Sequence, residues 1–88
     1  MNIVDTIRDR LAVFNPTSLE IEDNSAAHAG HAGNNGGGHF TLKIASSHFV
    51  QKTPIMRHRL IYQALDDLIP QQIHAISIIA ILPTDPIQ

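Results

Sequence analysis

The stretch "QIHAISIIAIL", residues 72–82, decides the fold. Apolar and β-branched residues stand at odd and even positions alike, interrupted only by His74 and Ser77. That composition predicts a strand covered on at least one side and well buried. Pro83 ends it, because proline cannot donate to a ladder. Just upstream, "KTPIMRHRLIYQALDDLIP" (52–70) reads as helix. Thr53 is the candidate N-cap, Pro54 takes the first helical position, and Pro70 closes the segment. Ile55, Leu60, Ile61, Ala64, Leu65 and Leu68 form its core-facing stripe, with room for a short turn before the main helix. A strand that follows a crossover helix is free to pair in parallel with an earlier one.

Two earlier segments supply the other strands. "SLEIEDN" sets Leu19 and Ile21 against Glu20 and Glu22, and "HFTLKIAS" sets Phe40, Leu42 and Ile44 against Thr41 and Lys43. Both alternate with the period of a strand that has one wet face. At the N-terminus Ile3, Val4, Ile7, Leu11 and Phe14 fall on one helical stripe, which "NPTS" (15–18) stops. The order is helix, strand, strand, one or two helices, strand. It implies an α+β, two-layer αββααβ domain with a three-stranded mixed sheet and its helices on one face. Residues 1–88 form a single domain, with a flexible loop over 25–38 between the first two strands.

Composition narrows the function. The chain has 88 residues, no cysteine, 43% apolar residues and a formal charge of −2 with histidines neutral. Disulfides and an all-protein thiolate site are therefore impossible. Bulk electrostatic binding to nucleic acid is disfavoured. No apolar run reaches the roughly 20 residues of a membrane span. "MNIVDTIRDR" lacks the order of a signal peptide, so the cytoplasm is the expected compartment.

Six histidines match the six Lys plus Arg, and the segment "HAGHAGNNGGGH" (28–39) holds three of them. Neutral imidazole is a metal ligand, and a glycine-rich loop can swing to meet a metal. Two histidines alone are too few, because tetrahedral zinc or iron takes four ligands. On the residues alone, His74 reads more readily as a hydrogen-bonded strand histidine than as a ligand, and His28 and His31 as parts of a solvated loop. His39, opening a strand, reads as structural and fixing the loop end. His48 reads as exposed.

Together these residues resemble a known family. "LEIEDNSAAHAGHAG", then "HF", then Ser46 and Phe49, "RHRLIY" and "IHAISI" occur in the order seen in BolA-like proteins, over roughly residues 3 to 80. The resemblance implies a fold similar to the type II KH topology. It also implies a binding partner of monothiol glutaredoxins, sharing a [2Fe–2S] cluster with the glutaredoxin and glutathione in iron homeostasis: iron sensing or iron–sulfur cluster trafficking. Carried over by position, the ligands are His74 of "IHAISI" and, five residues after Asp23, His28. The glycine-rich interval before His39 is longer than in many relatives, which keeps His31 as the alternate. Without cysteine, the chain is similar to the histidine-loop subtype. Imidazole ligation on one iron raises a cluster's potential and makes assembly sensitive to pH. No cofactor is expected in the isolated chain, which would be a monomer or weak homodimer.

A second function competes. "RHRLIY" gathers Arg57, His58 and Arg59 at a helix start, where cations oppose the macrodipole and suit an anionic partner. The family resemblance attaches nucleic-acid binding to this region, so the alternative is a DNA-binding transcriptional regulator touching phosphate through Arg57 and Arg59. "SSHFVQKTPIM" lacks the GxxG clamp of KH domains. No P-loop lysine follows "GNNGGG". No nucleophile elbow or spaced acid pair argues for an enzyme.

Overall fold

The computed structural model describes residues 2–25 and 38–83. Helix α1 spans Ile3–Leu11, with the Asn2 side chain accepting from the Asp5 N–H at 2.9 Å as its N-cap. A 3-10 turn, Ala12–Phe14, prolongs it. Asn15 then stops it in the left-handed region at φ 46°, a conformation asparagine tolerates, one residue ahead of Pro16. Strand β1 is Ser18–Asp23 and β2 is Gly38–Ala45. Helix α2, Pro54–Leu65, starts as its sequence requires, the Thr53 hydroxyl accepting from the Met56 N–H at 3.2 Å. Strand β3 is Ile73–Ile81.

The sheet has the order β1-β2-β3, with β1 antiparallel and β3 parallel to β2. Phe40, Leu42 and Ile44 line the buried face of β2 and pack in one core with Ile7, Leu11, Phe14, Ile61, Leu65 and Leu68. This is the small α+β domain with a mixed three-stranded sheet that the alternation implied.

Three expectations change. Between β2 and β3 there is one α-helix rather than two. A 3-10 turn, Ser47–Phe49, replaces the extra helix, since Val50 is extended (ψ 134°) and Gln51 is left-handed (φ 62°). Ile55 belongs to the helix but is 67% exposed, because the core stripe of α2 begins a turn later, at Leu60 and Ile61. Finally, β3 is not well buried. It is an outer strand with one face uncovered, Ile79 being 46% exposed, while Ile76, Ile78 and Ala80 lean on the core. Its β-branched composition suits the pleated backbone as much as burial. Of the expected loop 25–38, only Ser25 and Gly38 lie among the described residues.

Candidate functional site

The candidate site sits where β1 ends and β2 and β3 begin. Short polar side chains clamp the two ends of segment 26–37 together. The Asn24 N–H donates to the His39 carbonyl at 2.7 Å, and the His39 N–H donates to Ser25 Oγ at 3.1 Å. Thr41 Oγ1 donates to Asn24 Oδ1 at 2.8 Å, while Asn24 Nδ2 donates to Glu22 Oε1 at 2.6 Å. The Ser25 N–H donates to Asp23 Oδ1 at 2.9 Å. Bonds from the Ser25 hydroxyl and amide hold the Asp23 carboxyl below the usual carboxylate range. On the other side, the Gly38 N–H donates to the Gln72 carbonyl at 3.0 Å, tying the start of β2 to the start of β3. Only glycine fits there: a Cβ would lie 2.5 Å from the Phe40 ring.

His74 stands at a break in the register. Gly38 pairs with Ile73 and His39 pairs with Ala75, so His74 is the extra residue of a β-bulge. A bulge re-aims the side chain it carries and is frequent beside functional sites. Here it leaves His74 exposed and puts its ring next to that of His39, with centroids 5.2 Å apart and planes tilted by 44°. The reading of His74 as a hydrogen-bonded residue inside a buried strand does not survive this exposure. His39 does fix the loop end, through both of its backbone groups. A cleft of ≈ 230 Å³ adjoins His39, lined by the polar Asn24, Thr41 and Ser77 and by Phe40, Ala75 and Ile76.

His28 and His31 lie outside the described residues. Among those described, no group of three or more His, Cys, Asp or Glu is placed to hold a metal ion. The described donors are therefore too few to hold a metal by themselves, and fit only a centre that draws further ligands from elsewhere. The nearness of His39 to His74 was not anticipated. Part of its signal was available: "HF" and "IHA" open two strands that a crossover helix leaves free to pair in parallel, and that pairing sets their starts side by side.

The "RHR" group divides. Arg57 is used within the fold, its Nε donating to the Lys52 carbonyl at 2.9 Å and its Nη1 to the Ala80 carbonyl at 3.0 Å. The Ser46 N–H donates to the Ile81 carbonyl, so that carbonyl faces β2 and the Ala80 carbonyl faces outward. Arg57 thus caps the outer edge of β3, one way to blunt an edge strand. Arg59 is exposed, and with Ile55, His58, Tyr62 and Asp66 it lines a groove along the outer face of α2. His48 is exposed, with its ring edge-on to Phe14.

A family model described as "BolA-like protein" matches residues 11–85. The chain is 43% identical over 86 residues to SufE-like protein 1, chloroplastic/mitochondrial, of Arabidopsis thaliana, covering 90% of this chain and 23% of that protein. It is 33% identical over 79 residues to the DNA-binding transcriptional regulator BolA of Escherichia coli (strain K12), covering 89% of this chain and 73% of the relative. It spans 56% of protein BOLA1, chloroplastic, of A. thaliana. Among solved structures it superposes on BolA1 from A. thaliana with a TM-score of 0.85, 36% identity and 98% coverage of both chains. The matched length, the strand order and the "HF" and "IHAISI" strand starts agree: the chain belongs to the BolA-like family.

Proposed function

We propose that this chain is a binding partner of a monothiol glutaredoxin, with which it shares a [2Fe–2S] centre in iron sensing or cluster trafficking. The observation that carries this reading is His74, turned outward by a bulge at the mouth of the segment that holds His28 and His31. His74 would supply one nitrogen ligand and His28 the second, with His31 the alternate. The thiolates this cysteine-free chain lacks would come from the glutaredoxin and glutathione. When bound, such a centre supplies one-electron redox chemistry, at a potential that imidazole ligation raises. The chain's own contribution is positional. The bulge presents the His74 ring, and the Asn24, Ser25 and His39 bonds fix where segment 26–37 leaves the sheet.

The test is visible absorption and circular dichroism of the chain mixed with a monothiol glutaredoxin, glutathione, iron and sulfide. A heterocomplex spectrum distinct from that of the glutaredoxin alone is expected. It should be lost in His74→Ala and altered in either His28→Ala or His31→Ala. The second reading, a DNA-binding regulator, has support in the name of the E. coli relative and in exposed Arg59. The internal bonds of Arg57 leave that reading one arginine poorer.

A further inference from the structure

The outer edge of β3 is a surface that the proposed metal centre does not use. We propose that two copies of this chain pair there, edge to edge, in an antiparallel ladder centred on Ser77. Residues 73–81 contain no proline and no Lys, Arg, Asp or Glu, the usual guards of an exposed strand edge. Two other devices stand at its ends. The bulge at His74 breaks the ladder near the start, and the Arg57 guanidinium occupies the Ala80 carbonyl near the finish. Between them, residues 75–79 run regular and unguarded. Among the described residues, no strand pairs with their outer side.

The backbone fixes the register. The Ile81 carbonyl accepts from the Ser46 N–H within the sheet, and successive residues of a strand turn their polar groups to opposite sides, so those of Ile76 and Ile78 face outward. An antiparallel pair about Ser77 sets Ile76 of one copy against Ile78 of the other, and each such pair exchanges both of its bonds. Moving the axis to Ile78 would need the Ala80 carbonyl that Arg57 holds, and moving it to Ile76 would set Ile78 against the bulge. An interface on a two-fold axis must also match itself. This one does. On the open face Ala75 meets the exposed Ile79 of the copy and Ser77 meets Ser77, while toward the core the half-buried Ile76 meets Ile78. Small faces large, apolar faces apolar, and hydroxyl faces hydroxyl. Any extended strand meets the backbone groups; the side-chain match is what selects a copy of this chain. The two Arg57 caps fall at opposite ends of the ladder, about 20 Å apart by strand rise, too far to repel in physiological salt. The two sheets then run on as one, in the order β1-β2-β3-β3-β2-β1.

Sedimentation equilibrium and backbone amide exchange of the full chain, over about a hundredfold range of concentration, test this pairing. So short a ladder belongs with weak, concentration-dependent associations. Monomer should pass to dimer as concentration rises. The Ile76 and Ile78 amides should become protected together, while that of Ser77, which faces β2, stays as it was. Ser77 is exposed, so substitution there leaves the fold intact. Ser77→Lys and Ser77→Glu should each weaken association at least about fivefold, because like charges would meet on the axis. Mixed in equal amounts, the two variants should associate at least as well as the parent. Tyr62→Glu, on the outer face of α2, should change association by less than about twofold. A monomer at every concentration would overturn the pairing. So would a dimer whose Ile76 and Ile78 amides stay unprotected, or one that Tyr62→Glu breaks and the Ser77 variants spare. Neither glutaredoxin nor metal takes part, so the outcome is independent of the proposed complex.

Discussion

Ser46 has no exposed surface, and its hydroxyl joins two elements. It donates to the Phe14 carbonyl at 2.6 Å and accepts from the His48 N–H at 3.0 Å. The end of α1's extension is thereby fastened to the end of β2. Phe49, three residues on, fills the core beside Phe14 with ring centroids 5.6 Å apart. Replacing Ser46 by alanine leaves the Phe14 carbonyl without its bond in a dry place. Ser46→Ala should lower the unfolding free energy by about 1–3 kcal/mol in urea titrations. His74 is the opposite kind of residue, exposed, with its ring set against that of His39. Its alanine variant should unfold within about 0.5 kcal/mol of the parent, so a loss of function there reports chemistry rather than folding.

Between elements, the junction of β1, β2 and β3 is the feature on which the site depends. A methyl group at position 38 would collide with the Phe40 ring, itself 3% exposed and unable to retreat. Gly38→Ala should cost about 1–3 kcal/mol in thermal or urea unfolding, the usual cost of overpacking. The Asp23 carboxylate, bonded by Ser25, has a folded pKa below its unfolded one. Its contribution is complete above the ordinary carboxylate pKa near 4 and is lost as pH falls through the lower folded value. The Ser25 amide proton resonance should therefore hold steady through neutral pH and titrate only below about pH 4. A midpoint at or above the ordinary value would contradict the tether. The strands themselves were legible in the alternation of Leu19–Glu22 and of Phe40–Ile44, and α2 in the Thr53–Pro54 start. The bulge was not, because a register shift is decided by both strands and leaves no mark on either one. The overstated burial of β3 has a related cause: β-branched residues suit a strand whether or not both of its faces are covered.

For the whole molecule, the described residues set two helices on one face of a three-stranded sheet and, among themselves, leave the other face and the outer edge of β3 open. Arg57 closes one point of that edge. A chain with net charge −2 and with Arg57 bonded to the edge of β3 offers few phosphate contacts, so binding to a DNA duplex should be weak and should fade between about 50 and 200 mM salt. Tight binding that persists through that range in fluorescence anisotropy would favour the regulator reading. Family and layer arrangement were accessible from the sequence, through periodicity and the "IHAISI" resemblance, and so was the place of His74 at the start of a strand, but not its exposure at a bulge. The partnership of His39 and His74 needed the sheet in three dimensions, since 35 positions of chain separate them. The central claim is that His74 serves as a ligand in a centre shared with a glutaredoxin. The visible circular dichroism of the mixed proteins, with and without His74→Ala, tests it most directly. The account predicts a heterocomplex spectrum that this substitution removes while the variant remains folded. An identical spectrum from parent and variant would contradict it.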